Sequence, residues 1–322
     1  MRNIAIAAGG DSSEYEVSVK SATAVSDALS DKYRTFIIVM RGKNWYWEDQ
    51  NGMDIQVDKN DFSLNLPQEK IQFDAVFNAI HGTPGEDGLL QGYLEMMDIP
   101  YSSCGTFSSA LTFDKNACKV FLKEFGIPLA RSLKIVKGED INNEAIISVT
   151  GLPCFVKPNA SGSSFGVTKV NNKGELDKAI KIAYSEGNEI LIESFLDGTE
   201  VCCGVLKTKK QDFILPITEI VSKNEFFDYE AKYTPGVADE ISPARIANNV
   251  YANVQSLSSE IYDLLSCKGI VRVDFIIVDE KPIFLEINSV PGMSPESIIP
   301  KQLVAFGITQ KDFYTNIIED LF

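Results

Sequence analysis

The stretch VRVDFIIVDEKPIFLEINSVPGMS, residues 271–294, contains two strand-like runs and decides how the C-terminal part of the chain folds. Apolar and polar side chains alternate over residues 271–277, which is the period of a β-strand. Residues 279–282 are typical of a turn, and residues 283–288 form a second β-rich run. We therefore predict a β-hairpin whose two strands both carry polar and charged side chains.

Pairing across this hairpin brings two carboxylates together. A turn centred near Glu280 places Asp274 opposite Glu286 and Arg272 opposite Asn288. Directly opposed side chains lie about 5 Å apart at Cβ, and like charges at that distance repel each other. The two carboxylates therefore require a neighbouring cation, or one of them must hold a proton.

Composition excludes several classes of protein. The 322 residues include 44% hydrophobic and 23% charged residues, as in globular proteins, and this length predicts two or three domains. The apolar stretch at the N-terminus is too short for a signal peptide. The sequence also lacks an apolar run of about 18 residues, so we predict no membrane span. The net charge of −15 argues against nucleic acid and anionic lipid as partners, and an anionic substrate would need local cations.

The six cysteines show no CxxC spacing and no neighbouring histidine ligands. We interpret them as reduced and mostly buried thiols in a cytoplasmic protein, and we expect no zinc site.

Strands and helices alternate in the N-terminal part, where we predict strands at 2–8, 35–40 and 73–80 and helices at 14–29 and 89–97. This rhythm predicts an α/β domain with parallel strands. Further along we predict helices at 112–126, 174–186 and 248–266, strands at 154–157, 166–170 and 201–208, and a polar loop at 222–243. We expect the strand at 189–193 to open the last region. The predicted domains are 1–104, 105–190 and 191–322.

Two stretches have the composition of a nucleotide site. Asp274, Glu286 and Asn288 are hard oxygen ligands of the kind that Mg²⁺ prefers, although the outer face of a solvated hairpin is the alternative. In FVKPNASGSSFGVTKV, residues 155–170, Lys157 ends an apolar strand before a loop of glycines and serines. Backbone N–H groups of such a loop can surround phosphate oxygens, although a plain hairpin loop has the same composition.

Three further stretches carry weaker indications. In ILIESFLDGTE (190–200), the strand end and its carboxylates could bind an adenine and a ribose, or could be an ordinary strand end. In IAAGGDSSEYEVS (6–18), Glu14 could hold an ammonium group or could only favour the start of a helix. His81, the single histidine, lies where a strand ends, which is the usual position of sites in α/β domains. A lone histidine is more often structural.

The ordered set of motifs resembles the ATP-grasp superfamily and, within it, the D-alanine–D-alanine ligases. The matching motifs span residues 4 to about 301, and they are GGDSSEYEVS, IHGTPGEDG, FDK, VKPNASGSSFGVTKV, FFDYEAKY, VRVDF and LEINSVPGMSPES. The resemblance implies a three-domain ATP-grasp fold with an N-terminal Rossmann-like domain. It also implies ATP-dependent ligation of two D-alanines through an acyl phosphate, for peptidoglycan precursor synthesis, with a homodimer as the common assembly.

The resemblance implies specific roles for residues that match the family motifs. The residues implied to bind ATP are Lys115, Lys157, Ser163, Ser164, Glu193, Phe195, Leu196 and Glu200. Those implied to bind two Mg²⁺ ions, with Mn²⁺ as a substitute, are Asp274, Glu286 and Asn288. Those implied to bind the D-alanines are Glu14, His81, Lys232, Ser297 and Ile298. Arg272 and the Gly292 amide would form an oxyanion hole, and Ser163 and Tyr233 would link to Glu14. The polar stretch 223–240 would cover the site.

The sequence departs from the common family pattern at two positions. Ser161 stands where many relatives have an acidic residue, and Ile298 stands where leucine is usual beside the second substrate. The competing hypotheses are a ligase that joins D-alanine to D-lactate or D-serine, another ATP-grasp carboxylate–amine ligase, and an inactive nucleotide-binding module. Tyr233 argues against D-lactate, because the lactate-using relatives usually have histidine there.

Overall fold

The computed structural model describes residues 1–162, 165–222 and 236–322. The strands of the described residues form three β-sheets, and helices pack against each of the sheets. This mixture of sheets and helices confirms the predicted α/β class. The predicted domain boundaries remain predictions.

The N-terminal sheet has seven strands in the order β6-β5-β4-β3-β2-β1-β7. Their bounds are β1 Asn3–Gly9, β2 Arg34–Arg41, β3 Asn44–Glu48, β4 Asp54–Asp58, β5 Ser63–Asn65, β6 Lys70–Gln72 and β7 Ala75–Asn78. The predicted parallel pairing is confirmed for β1 with β2 and for β1 with β7. The strands β3 to β6, which we did not predict, are antiparallel because short loops join them.

Two helices flank this sheet, namely α1 Tyr15–Leu29 and α2 Leu89–Met96. The next two, α3 Thr106–Phe113 and α4 Lys115–Lys123, pack in the apolar cluster that contains Val201, Val271 and Phe284. The single helix predicted at 112–126 was wrong, because the chain breaks at Asp114. There the Asp114 carboxylate accepts a hydrogen bond from the Ala117 amide at 2.8 Å and so caps the start of α4. This cap starts α4 as a helix separate from α3.

The central sheet is antiparallel and has the order β10-β9-β11-β8. Its strands are β8 Ser132–Val136, β9 Cys154–Pro158, β10 Thr168–Val170 and β11 Glu189–Ser194, and its helices are α5 Asn143–Thr150 and α6 Leu176–Ala183, with a 3₁₀ turn at Lys173–Glu175. The expectation that β11 opens the last region was wrong. β11 pairs with β8 and β9, so it belongs to the central sheet.

The third sheet has the order β15-β14-β12-β16-β17, and β13 pairs with β12 beside this path. Its strands are β12 Thr199–Lys207, β13 Asp212–Ile214, β14 Thr218–Ser222, β15 Ala238–Ile241, β16 Val271–Val278 and β17 Lys281–Asn288. The remaining described helices are α7 Asn248–Leu264, α8 Ile298–Phe306 and α9 Gln310–Glu319.

The hairpin of β16 and β17 has the predicted register, with Asp274 opposite Glu286 and Arg272 opposite Asn288. Its turn is shorter than predicted, because Asp279 and Glu280 alone connect the strands, at φ angles of 48° and 61°. A bulge beside Asp274 inserts one extra residue into β17 and restores the predicted pairs.

The last helix closes the N-terminal core. Phe313 and Tyr314 of α9 are fully buried in one apolar cluster with Ile4 and Phe77 of the N-terminal sheet. The two ends of the chain therefore share a core, and the N-terminal sheet is attached to the C-terminal helices by apolar packing.

None of the helices in the described ranges combines the length and the apolar character that a bilayer crossing requires. The six cysteines are buried and form no disulfide, as predicted.

We predict that Gly269, just before β16, fixes the contact between the third sheet and the N-terminal region. Its φ angle is 64°, and a Cβ atom there would lie 1.8 Å from the Ser102 carbonyl oxygen. A side chain at such a φ costs about 1–2 kcal/mol, and overpacking adds about 1–3 kcal/mol. Gly269→Ala should lower the free energy of unfolding in urea by about 3 kcal/mol.

Gly126→Ala is the matched control, because Gly126 has a φ angle of 76° and a Cβ atom added there would meet none of the described residues within 4 Å. This control should cost about 1 kcal/mol, which is the backbone contribution alone. Equal losses in the two variants would show that the close approach to Ser102 does not constrain the fold.

Candidate functional site

A cavity of about 1070 Å³ lies where the three sheets meet. Most of the predicted site residues line it. They come from loops of the N-terminal region, from α4, from strands and a loop of the other two sheets, and from the loop and helix that follow β17. They are Glu14, His81, Lys115, Lys157, Glu193, Phe195, Leu196, Glu200, Arg272, Glu286, Asn288, Gly292, Ser297 and Ile298. The fold therefore brings together residues that lie far apart in the sequence.

Four predicted residues, Ser163, Ser164, Lys232 and Tyr233, lie outside the described residues. The same holds for most of the predicted cover, since the described chain stops at Ser222 and resumes at Gly236. Asp274 is described but is not in the cavity wall, because it is 4% exposed beneath it.

The carboxylates of the hairpin are balanced by cations of the chain itself. Arg272 donates two hydrogen bonds to Asp274, from Nε at 2.8 Å and from Nη2 at 2.7 Å. Such a bidentate pair is among the strongest charge-assisted contacts in proteins. Glu286 forms an ion pair with Lys115 at 3.4 Å. The repulsion expected between Asp274 and Glu286 is therefore offset by a guanidinium and an ammonium group.

Glu193 lies between two buried lysines. Its Oε1 pairs with Nζ of Lys119, its Oε2 pairs with Nζ of Lys157, and all three side chains are less than 10% exposed. Burial alone would raise the pKa of Glu193, but the two ammonium groups outweigh burial and hold that pKa at about 2. Glu193 is therefore ionised at neutral pH and presents a fixed acceptor at the cavity.

Sequence reasoning missed Lys119. It lies one turn after Lys115 on α4, so that spacing could have indicated a second inward lysine. Burial lowers the pKa of Lys119 and Glu193 opposes this effect, whereas Glu193 and Glu286 together outweigh burial and raise the pKa of Lys157. The sequence contained no signal that Lys119 would meet Glu193, because the two residues are distant along the chain.

A hydrogen bond joins the loop after β7 to the loop after β17. Nδ1 of His81 lies 2.8 Å from the carbonyl oxygen of Val290, so Nδ1 must carry the proton and donate it. Burial lowers the pKa of His81, which favours this neutral form. Nε2 is then an acceptor, and it has no hydrogen-bond partner among the described residues.

Glu86 is a second residue that sequence reasoning missed. It is 7% exposed, lies in the cavity wall, and accepts a hydrogen bond from the Gly82 amide at 2.7 Å. Burial, reinforced by the negative charge of Glu14, raises the pKa of Glu86 to about 7, although the Gly82 and Val290 amides oppose this rise. The position of an acidic residue inside the glycine-rich loop IHGTPGEDG could have indicated that Glu86 belongs to the site.

Glu14 immediately precedes α1, and its side chain makes no capping hydrogen bond to that helix. A Cβ atom on Gly162 would lie 2.5 Å from Oε2 of Glu14. The glycine and serine loop of the central sheet therefore reaches the N-terminal domain directly beside this carboxylate. A side chain at 162 would displace the Glu14 carboxylate from this position.

Gly292 and Ser297 lie together at the start of α8. A Cβ atom on Gly292 would lie 2.6 Å from Oγ of Ser297, so a larger residue at 292 would displace that hydroxyl. Oγ of Ser297 is 2.9 Å from Oγ of Ser294 and does not cap the helix. Ile298 is 6% exposed and borders the same part of the cavity.

We predict that Glu86 makes stability fall as the pH rises. Its folded pKa of about 7 lies above the ordinary value of 4.5, so the native state binds the extra proton between these values. The free energy of unfolding of the wild type, relative to Glu86→Gln, should fall by about 3 kcal/mol between pH 4.5 and pH 8. Urea unfolding of both proteins across this range measures the difference. Parallel pH profiles would contradict the assignment.

Two family models match the chain. The model described as D-ala D-ala ligase N-terminus matches residues 3–104, and the model described as D-ala D-ala ligase C-terminus matches residues 121–319. The chain is 49% identical to a protein named D-alanine--D-alanine ligase from Bacteroides fragilis, over 100% of this chain and 99% of that relative.

Solved structures are similar over the whole length. VanG D-Ala:D-Ser ligase from Enterococcus faecalis has a TM-score of 0.87 and 32% identity, covering 100% of this chain and 99% of its own. D-alanine--D-Alanine ligase from Bacillus anthracis complexed with ATP has a TM-score of 0.79 and 31% identity, covering 99% and 96%. The chain therefore belongs to the D-alanine–D-alanine ligase family and has the ATP-grasp fold that its motifs predicted.

Proposed function

We propose that this protein is an ATP-dependent carboxylate–amine ligase that joins two D-alanines to D-alanyl-D-alanine, forming ADP and phosphate, for peptidoglycan precursor synthesis. The observation that carries this proposal is the convergence of the described candidate residues around one cavity. Membership of the family over the full length of the chain supports the same activity. An inactive nucleotide-binding module is disfavoured, because every motif residue is present in the sequence.

The nucleotide binds between the central and third sheets in this proposal. Lys115 and Lys157 hold the phosphates, and both lie in the cavity wall. Glu193 accepts a hydrogen bond from the adenine amino group, backbone groups at Phe195 and Leu196 bind the adenine edge, and Glu200 binds the ribose. The similar Bacillus anthracis ligase is complexed with ATP, which supports a nucleotide in this place.

The hairpin donors fit a magnesium site by their chemistry. Glu286 and Asn288 present a carboxylate and an amide oxygen to the cavity, and Asp274 lies opposite Glu286 in the strand pair. Hard oxygen donors of this kind suit Mg²⁺. We propose that these three residues hold two Mg²⁺ ions, for which Mn²⁺ substitutes, and that the metal neutralises phosphate charge when bound.

The first D-alanine is bound through its ammonium group. Glu14 supplies a carboxylate, and Nε2 of His81 supplies an acceptor because Nδ1 donates to Val290. Ser163 and Tyr233 are proposed to link to Glu14, although both lie outside the described residues. The carboxylate of this D-alanine then attacks the γ-phosphate of ATP, ADP leaves, and an acyl phosphate forms.

The second D-alanine is held by its carboxylate, through Ser297 and Lys232, and its amine attacks the acyl phosphate. An oxyanion develops on the attacked carbonyl, and phosphate then leaves. Two of the N–H groups of Arg272 bind Asp274, and Arg272 also lines the cavity, so we propose that its remaining N–H groups reach the substrate. They and the Gly292 amide stabilise the oxyanion.

One observation favours a second candidate function. The similar structure from Enterococcus faecalis is named a D-Ala:D-Ser ligase, and this chain has Ile298 beside the proposed second-substrate site. Ligation of D-alanine to D-serine is therefore the alternative. The homodimer and the cytoplasmic location remain predictions.

We predict phosphate release that depends on ATP, Mg²⁺ and D-alanine together, with D-alanyl-D-alanine as the product identified by mass spectrometry. L-alanine in place of D-alanine is the control and should give only background release. Preferred incorporation of D-serine from an equimolar mixture of D-alanine and D-serine would establish the alternative. Absence of any dipeptide would overturn both.

We predict that Arg272→Ala lowers the turnover of dipeptide formation by about a hundredfold to a thousandfold, because removal of one oxyanion donor costs about 3–4 kcal/mol. Nucleotide affinity should change much less, since Lys115 and Lys157 contact the phosphates. Arg272→Lys should recover part of the loss, because an ammonium group cannot reproduce the guanidinium fork.

The measurement is a titration of nucleotide affinity together with steady-state phosphate release on the same preparation. Loss of ATP affinity with unchanged turnover at saturation would make Arg272 a phosphate-binding residue and exclude the oxyanion role.

A further inference from the structure

Glu193, Lys119 and Lys157 form a buried charge cluster. Lys119 is the one member of this cluster that lies behind the cavity wall. It is 3% exposed on α4, and Glu193 and Lys157 separate it from the space in which a ligand can bind. Among the described residues, the wall includes Glu193 and Lys157 but not Lys119. Lys119 therefore acts on any ligand through Glu193 and not by contact.

The charges in this cluster do not cancel. Two ammonium groups, of Lys119 and Lys157, surround the single carboxylate of Glu193. Lys157 lies in the cavity wall, so its ammonium group can bind an anionic ligand there. The charge of Glu286 also attracts this ammonium group. When Lys157 binds phosphate, Lys119 is the cation that remains on Glu193. Without Lys119, the buried carboxylate would lose its counter-charge at that moment, which favours protonation.

We propose that Lys119 is a positioning residue that keeps Glu193 ionised and oriented while Lys157 binds phosphate, and that it thereby sets the selectivity of the site for a 6-aminopurine over a 6-oxopurine nucleotide. This inference rests on the nucleotide part of the proposed function. It assigns a specificity role to a residue that never touches the nucleotide.

The selectivity follows from hydrogen-bond chemistry. An ionised carboxylate only accepts hydrogen bonds, so Glu193 matches the 6-amino group of adenine and repels the 6-oxo group of hypoxanthine. A protonated Glu193 has an O–H group that can donate to the 6-oxo oxygen. A buried polar group that is left without its partner accounts for large discrimination between otherwise similar ligands.

The pH dependence of this selectivity has a definite sign. Among the described residues, the charged groups that face Glu193 are Lys119 from α4 and Lys157 from β9, and Lys157 is itself faced by Glu286 from β17. Both lysines hold the pKa of Glu193 at about 2, so the wild type stays ionised at neutral pH. Loss of Lys119 raises that pKa, and the protonated fraction of Glu193 then grows as the pH falls.

The test compares the dissociation constants of ATP and inosine triphosphate, measured by calorimetry with Mg²⁺ and without D-alanine, from pH 6 to pH 8.5. The two nucleotides differ at position 6 of the purine and at the N1 proton. Lys119→Met should reduce the preference for ATP by about tenfold or more, and the reduction should be largest at pH 6. Lys119→Arg should keep most of the preference, because it restores the positive charge.

Lys134→Met is the matched control. Lys134 belongs to β8, in the central sheet that also contains Glu193, and it pairs with Glu189 at 3.1 Å. Its side chain is about one-third exposed and lies outside the cavity wall. This variant should keep the wild-type preference at every pH. If Lys119→Met does not fold, Lys119→Gln retains a hydrogen-bond donor without the charge, and it should show the same direction of change.

Two results would overturn the inference. One is an equal weakening of ATP and inosine triphosphate at every pH in Lys119→Met or Lys119→Gln, which would make Lys119 a structural residue only. The other is a wild type without preference for ATP. If the wild type binds ATP selectively and Lys119→Met does not, the inference stands even when D-alanine yields no dipeptide. Selective ATP binding that depends on Lys119, together with absence of dipeptide, would reject only the proposed ligation.

Discussion

Charge balance in the cavity wall is the constraint on which the rest of the site depends. Three carboxylates, Glu193 and Glu286 in the wall and Asp274 beneath it, are held by cations of the chain. The net charge of the protein is −15. The contacts are Glu193 with Lys119 and Lys157, Asp274 with Arg272, and Glu286 with Lys115. Removing one partner of a buried pair costs about 3–5 kcal/mol, so Glu193 and Asp274 are held in place before any ligand arrives. The cations also supply the local positive charge that an anionic nucleotide needs in an otherwise acidic protein.

The fold holds these pairs in place by joining its three sheets at the cavity. α9 returns to the N-terminal sheet and buries Phe313 and Tyr314 in its core. On the other side, His81 binds the carbonyl oxygen of Val290. The N-terminal domain is therefore fastened to the loop after β17 by a polar contact and to the last helix by apolar packing. This arrangement fixes the distance between the proposed ammonium site and the oxyanion site.

The candidate site could be predicted in part because its residues sit in motifs with local signals. The hairpin register followed from strand alternation and a turn, and the bulge beside Asp274 restored the predicted pairs. Lys119 and Glu86 were missed because their importance comes from what they meet. Lys119 pairs with Glu193 from another element, and Glu86 has a raised pKa because the fold buries it near Glu14. Neither burial nor a partner distant in the chain is visible in a local pattern.

The sequence by itself determined the α/β class, the parallel strands β1, β2 and β7, the hairpin of β16 and β17, and the membership of the family, because each depends on short-range periodicity or on ordered motifs. Tertiary structure alone decided that β11 belongs to the central sheet and that the cations of the chain balance the hairpin carboxylates. The physical reason is that strand pairing, burial and ion pairing join groups that are separated along the chain. Local patterns determine which elements form, and the free energy of packing them together determines which charges meet.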